Sequence, residues 1–396
     1  MKYDFSKLDA LLREYADKWV PSASCAVMKD GEMLYEGYTG FADLESKTPV
    51  TAENIYRQAS MTKLVTYTIA MILIEQGKLS VRQPIADFYP DWANKQKFVR
   101  SADGGWDVVP LEGTITVEDA LMMTCGMPYC FGPASPNDPS PVAQAMSKAM
   151  EPVWAKGHYR VHDAIHAMAS VPVAFEPGED WLYGFGSEII GGIVELLTDR
   201  KLSDAMVDFI FEPLGMHSSD CLFRDDLESR LVSMYAKKDG VFTKMPPEID
   251  RGQRPGAENE EGRPSLMTNV RDFSKLMQLW AHDGEYAGKR LLQADTMRMM
   301  RVNRLGGKVL AHYQGGEDQY NSGYGYGYGV RTLLAPRAGC GSVGSYGWTG
   351  GYGTWCEADP VTGVSIVYMH NCMPNFEQAL HLPVRAASYE AIRGGK

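Results

Sequence analysis

The stretch Ser60-Met61-Thr62-Lys63-Leu64-Val65-Thr66-Tyr67-Thr68-Ile69-Ala70-Met71-Ile72-Leu73-Ile74 joins a polar tetrapeptide to a long apolar run. With almost no polar face, the run is expected to form a buried helix beginning near Ser60, with Gly77 and Lys78 as end signals. Serine and lysine at i and i+3 share one face of a helix, which brings the Ser60 hydroxyl close to the Lys63 amine. A serine is a poor nucleophile until a base takes its proton, and a desolvated lysine can be that base, because burial disfavours the ammonium form. At a helix N-terminus the serine also sits beside free backbone N–H groups, suited to a developing oxyanion. This is the only S-x-x-K in 396 residues, and its lysine opens a run where a purely structural lysine would be unwelcome. Short motifs do recur by chance, so the tetrapeptide alone does not fix a function.

Bulk properties bound the remainder. At 396 residues the chain can hold two or three small domains, or one large body with an insertion. Its 44% hydrophobic and 22% charged residues are ordinary for a globular enzyme. A net charge of -11 argues against nucleic acid or an anionic membrane surface as a partner. The opening residues Met1-Lys2-Tyr3-Asp4-Phe5 carry no apolar signal core, and no uninterrupted apolar stretch is long enough to span a membrane. Seven cysteines without tight spacing suggest free thiols and a cytoplasmic location.

Outward from the opening stretch, residues 6–19 read as an amphipathic helix with Leu8, Leu11, Leu12 and Tyr15 on one stripe. Strand-like runs at 24–28 and 33–38 flank Asp30-Gly31, a hairpin signal. Between about 81 and 216 the pattern turns to helices, expected at 117–123, 141–150, 161–169, 188–197 and 203–211, with a proline-rich loop at 131–141. Strand character returns at 231–235 and 241–244, a helix covers 270–281, and residues 320–370 alternate aromatic, glycine and β-branched types. There, 359–363 reads as a turn between strands 353–358 and 364–370, and a last helix spans 377–392. Strands at both ends of a helical middle imply one antiparallel sheet built from both termini, in a mixed α/β (α+β) class. The expected division is an α/β domain of residues 1–79 and 218–396 with an all-helical insertion at 80–217.

Two further segments carry chemistry. Tyr183 follows Phe175-Glu176-Pro177-Gly178-Glu179-Asp180-Trp181-Leu182 and precedes a helix, so its hydroxyl can overhang a cleft and relay protons; it also reads as an ordinary half-buried tyrosine. In Tyr346-Gly347-Trp348-Thr349-Gly350-Gly351-Tyr352-Gly353-Thr354, glycines let a ligand or another backbone approach closely, or simply form a bulge in a twisted sheet. Other features are weaker. His158, His162 and His166 have helical spacing but lack a carboxylate or cysteine cluster, which favours a solvated face over a metal site. Tyr320, Tyr324, Tyr326 and Tyr328 read as sheet packing with an acyl-pocket role left open, and Cys356 as a buried apolar residue. No G-x-S-x-G elbow is present.

Taken in order, Ser60-Met61-Thr62-Lys63, Tyr183 and Trp348-Thr349-Gly350-Gly351 resemble the three motifs of the serine β-lactamase and penicillin-binding protein superfamily. The resemblance is to its class C-like branch, with family VIII carboxylesterases and related transesterases. Framework segments agree: Glu75-Gln76-Gly77-Lys78-Leu79, Ile115-Thr116-Val117-Glu118-Asp119, the run from Phe175 to Gly178, and Glu212-Pro213-Leu214-Gly215-Met216, so that the similarity runs from about Lys18 to Arg393. The resemblance implies a β-lactamase-like fold, with Ser60 the acylated nucleophile, Lys63 its base or proton shuttle, and Tyr183 an aid to proton transfer. It implies an oxyanion hole from the N–H groups of Ser60 and Gly351, and substrate contacts from Trp348, Thr349, Gly350 and Tyr129. No metal or organic cofactor is needed.

Departures from the pattern bear on substrate. Position 185 is Phe where β-lactamases carry the Asn of Tyr-x-Asn, and Trp348 replaces the lysine of the third motif, which removes a cation that helps dock a carboxylate. Both favour a neutral small-molecule ester over a penicillin. Met123 and Cys125 stand where histidine and serine are common, and are expected to affect packing only. The alternatives left open are a D-amino-acid amidase or D,D-peptidase acting on an amide, a weak β-lactamase, and a non-catalytic binding or assembly protein with the same fold. The oligomeric state is left open as well.

Overall fold

The computed structural model of the protein describes residues 3–130, 141–224, 227–254, 266–315 and 320–395. Most of the loop expected at 131–141 therefore lies outside the described residues.

The two ends of the chain meet in one eight-stranded antiparallel sheet. Its order is Tyr324–Tyr326, Arg331–Leu333, Tyr346–Thr349, Trp355–Asp359, Val364–Met369, Ser22–Lys29, Glu32–Asp43 and Thr48–Pro49. The seam between amino- and carboxy-terminal strands is the pairing of Ser22–Lys29 with Val364–Met369, in which Ala26 faces Val367. The expected hairpin forms as read: Asp30 (φ 50°) and Gly31 (φ 82°) both take the left-handed conformation, whose twist matches that of the flanking strands.

The central strands of the sheet are buried on both faces, and their two-residue period sorts the side chains. Cys25, Val27, Ile366 and Tyr368 join Leu8, Leu12 and Tyr15 of the Ser6–Lys18 helix and Leu380 and Val384 of the Glu377–Arg393 helix. Ala26, Val367 and Met369 join the opposite core with Phe273, Met277 and Trp280 of the Val270–Ala281 helix. Full burial of a leucine such as Leu12 stabilises by about 1.5–3 kcal/mol. The opposite core runs on without a break through the Thr62–Glu75 helix into Met146, Ile165 and Ile189 of the helical region.

That region follows the expected pattern, with helices Val117–Met122, Val142–Trp154, Val161–Ala169 and Gly186–Thr198. The first is set by a capping box: Asp119 N–H donates to Thr116 Oγ1 (3.4 Å) while Thr116 N–H donates to Asp119 Oδ2 (2.9 Å). The helix expected at 203–211 is Leu202–Met206 followed by a wide turn, Val207–Phe211, and Glu212–Leu214, and stops at Gly215 with φ 64°. One expectation is corrected: the insertion is not all-helical. Gln96–Arg100 pairs with Trp106–Pro110 as a hairpin, its strands carrying Phe98, Val99, Val108 and Val109 around a turn that includes Gly104 (φ 86°). It is pinned back on the helical region where Phe98 N–H donates to Val173 O (3.0 Å).

Candidate active site

Ser60 does not begin the α-helix. It lies in a 3-10 turn, Ala59–Met61, immediately before the helix Thr62–Glu75. Ala59 has φ 47°, a left-handed conformation that costs a residue with a Cβ about 1–2 kcal/mol and persists only where its surroundings over-determine it. They do so here. Gln58 N–H donates to Leu266 O (2.9 Å), Leu266 N–H donates to Thr62 Oγ1 (3.1 Å), and Thr354 Oγ1 donates to Gln58 O (3.0 Å). The last bond ties the turn to the end of the central sheet.

From the first turn of that helix, Lys63 Nζ lies 3.0 Å from Ser60 Oγ, and the lysine has no exposed surface. Aromatic rings wall the amine, with Nζ 5.0 Å from the Tyr183 ring centre and 5.5 Å from that of Tyr129. Tyr129 and Tyr183 meet edge to face at 5.5 Å. Trp348 Nε1–H donates to the Tyr183 hydroxyl oxygen across 3.1 Å. Ser60 and Lys63 are thus brought together with Tyr129, Tyr183 and Trp348 from distant parts of the sequence. The indole replaces a cation with a neutral donor, and a donated N–H supports negative charge on the oxygen that receives it. Arg331 is 5% exposed and packs on the rings of Tyr320, Tyr324 and Trp348 at 4.2, 5.0 and 5.9 Å. It braces the aromatic wall rather than offering a charge to a carboxylate in solution.

The third segment leaves the sheet as a tight turn. Gly350 N–H donates to Thr354 O (2.7 Å) and Gly353 N–H to Gly350 O (2.8 Å). Thr349 Oγ1 donates to Thr354 O (3.2 Å), and a Cβ on Gly350 would fall 2.2 Å from Gln58 O. Thr349 and Gly350, expected to contact substrate, therefore spend these groups within the turn and against the Ser60 segment. Gly351 differs: it is exposed, and a Cβ there would meet nothing within 4 Å. The backbones of Ser60 and Gly351 lie on two turns joined by the Thr354–Gln58 bond.

Some of the machinery was not read from the sequence. Trp181 stacks on Tyr183 (6.0 Å, 23°) and meets Tyr313 and Tyr326 edge to face at 4.9 and 5.4 Å. Tyr326 in turn sits 5.3 Å from Trp348, so part of the tyrosine run backs the site rather than only filling the sheet. A two-residue step from Trp181 to Tyr183 was the available signal. Met123, Cys125 and Cys356 are buried, in keeping with packing roles. The histidines expected to be a solvated face are divided: His158 is exposed outside the helix, His162 Nε2 lies 2.9 Å from Glu195, and His166 Nδ1 lies 2.8 Å from Asp91.

Beneath the third-segment turn lie two further histidines, His370 (0% exposed) and His381 (1%). Burial pulls His370 down to about 3 and His381 well below its ordinary value. The unfolded chain then binds a proton that the native state refuses, so stability falls as pH drops below about 6.5. The loss for His370 alone should approach about 1.4 kcal/mol per pH unit. Urea unfolding at pH 6.5 and pH 5 should show this steep loss in the wild type and a shallower one in His370→Gln; equal slopes would refute it.

Known proteins share this fold. The family model described as Beta-lactamase matches residues 8–390. Lovastatin esterase of Penicillium rubens is 28% identical over 347 residues, covering 78% of this chain and 81% of its own length. Esterase EstB of Burkholderia gladioli is 25% identical over 390 residues, covering 92% and 90%. Among solved structures, simvastatin synthase (LovD) of Aspergillus terreus superposes with a TM-score of 0.81 at 19% identity, over 98% of each chain.

Proposed function

Because the chain belongs to the beta-lactamase family, we propose that it is a serine hydrolase that cleaves small, neutral carboxylic esters through an acyl-enzyme. The observation that carries the reading is the contact series Ser60–Lys63 (3.0 Å) and Tyr183–Trp348 (3.1 Å) around one buried amine. In its neutral form Lys63 takes the Ser60 proton as Oγ attacks the ester carbonyl. The oxyanion is received by the N–H groups of Ser60 and Gly351, and collapses with loss of the alcohol, which takes a proton routed through Tyr183 and Lys63. Water then attacks the acyl-enzyme by the reverse proton path and frees the acid.

The substrate side rests on Trp348. An indole in place of a cation gives no anchor for a substrate carboxylate, and Phe185 gives no amide for a β-lactam side chain. The names of the relatives, lovastatin esterase and EstB, support an ester. The same residues would serve a D-amino-acid amidase or D,D-peptidase with a poorer leaving group. Cys25, Cys125, Cys340, Cys356 and Cys372 are buried as free thiols, which supports placing the enzyme in the cytoplasm; among the described residues no helix is long and apolar enough to cross a membrane.

The test uses the wild-type protein. A fluorophosphonate probe should label the peptide containing Ser60, and p-nitrophenyl butyrate should turn over faster than nitrocefin or a D-alanyl-D-alanine amide. Faster nitrocefin turnover would move the assignment to a β-lactamase, and faster amide turnover to a peptidase. Neither labelling nor turnover would mean a binding protein.

A further inference from the structure

We propose that His381, seated against His370, is a positioning residue that holds the Gly350–Thr354 turn so that the Gly351 N–H faces the reacting carbonyl. The inference rests on the acyl-enzyme reading and adds residues that none of the three motifs contains.

His381 is carried by the Glu377–Arg393 helix, whose body covers the sheet on the face that also packs the Ser6–Lys18 helix. From there its Nε2 reaches Gly353 O at 3.1 Å. A carbonyl only accepts, so Nε2 carries the hydrogen and Nδ1 is left as an acceptor. Gly353 is the residue whose N–H closes the turn on Gly350 O. It has φ 108°, and a Cβ there would fall 1.8 Å from His370 Nε2, so the His370 ring fills the space that a side chain at 353 would need. His370 is fixed by Tyr368, whose hydroxyl lies 3.1 Å from Nδ1, and His381 by Trp355 and Tyr368, whose rings lie 6.1 and 5.6 Å away.

The arrangement is an expensive way to fill space. His370 Nε2 and His381 Nδ1 are both buried without a hydrogen-bond partner among the described residues, and buried unpaired polar atoms oppose folding. An apolar pair would pack at less cost. What the imidazoles add is a directed N–H on the Gly353 carbonyl and a ring in the space that a side chain at 353 would need. Both constrain the turn from below, while Thr354 Oγ1 on Gln58 O ties it to the Ser60 segment. With both histidines uncharged, the donor does not switch off near neutral pH.

The test compares His381→Gln, whose terminal amide can still reach Gly353 O, with His381→Asn, whose amide is too short. Steady-state hydrolysis of p-nitrophenyl butyrate is read beside the affinity for a phenylboronic acid, whose tetrahedral adduct with serine uses the oxyanion donors. His381→Asn should lower kcat about 10- to 100-fold with KM within about twofold, and weaken the boronate in parallel. His381→Gln should recover both to within about threefold of wild type. The proposal is overturned if His381→Asn keeps kcat and boronate affinity while only its Tm falls. It is equally overturned if His381→Gln loses as much as His381→Asn. Either result with an active wild type leaves the acyl-enzyme reading standing; an inactive wild type removes both.

Discussion

Replacing Ser60 by alanine should leave less than about one part in 10^4 of the wild-type kcat/KM on p-nitrophenyl butyrate, a loss of more than about 5 kcal/mol of transition-state stabilisation. The substitution deletes the one atom that would form the acyl bond and leaves Lys63, Tyr183 and the backbone donors in place. Residual rate would then come from oxyanion stabilisation and binding alone. Fluorophosphonate labelling should vanish with turnover. Stability should change little. Ser60 is half-buried in a turn fixed by bonds to Gln58 and Thr62 rather than by its own hydroxyl, so the Tm is expected within a few degrees of wild type. The strain at Ala59 remains in the variant, because it belongs to the backbone. Turnover retained within tenfold, in a preparation free of contaminating esterase, would remove Ser60 from the mechanism.

What could be read in the sequence was what neighbouring residues decide. Asp30-Gly31 specified its hairpin because both residues tolerate the left-handed conformation that the turn demands. The helix Val270–Ala281 appeared at its expected bounds because an N-cap asparagine, a regular apolar stripe and Gly284 punctuate it locally. The order of three motifs singled out Ser60, Lys63, Tyr183 and Trp348, whose side chains lie together in the fold. What lay hidden depends on contacts between distant segments. Ala59 gives no hint that it takes a positive φ, since the bonds that enforce it come from Leu266 and Thr354. The bond from Trp348 to Tyr183 turns an apparent loss of a cation into a gain of a neutral donor. His381 looks like one polar residue on an ordinary helix until the sheet brings Gly353 against it. The 96–110 hairpin is hidden for a different reason: its strands are short and its surroundings helical, so the regional pattern outweighs the local alternation.

Lys63→Met should lower kcat on the same ester by about 10^3- to 10^4-fold while Ser60 remains in place, and at the same time raise Tm. The two effects share one cause. The amine has no exposed surface and sits among the rings of Tyr129 and Tyr183, where a methionine of similar length packs without desolvating a polar group. Removing a buried ionisable group from apolar surroundings commonly stabilises a protein by about 1–2 kcal/mol, at the expense of function. The loss of rate follows from geometry: no other basic side chain is hydrogen-bonded to Ser60 Oγ among the described residues, and Nζ does so at 3.0 Å. Fluorophosphonate labelling should slow in step with ester turnover, because both begin with the same proton transfer. Lys63→Arg should not rescue either, since a guanidinium does not give up its proton in the working pH range. A structural lysine would behave in the opposite way. Its replacement would lower Tm, and the activity lost would track the fraction unfolded rather than appear in a fully folded enzyme. A rise in Tm accompanied by a folded, nearly inactive protein therefore separates the base from the brace, whereas activity within tenfold of wild type would assign the proton transfer to another group.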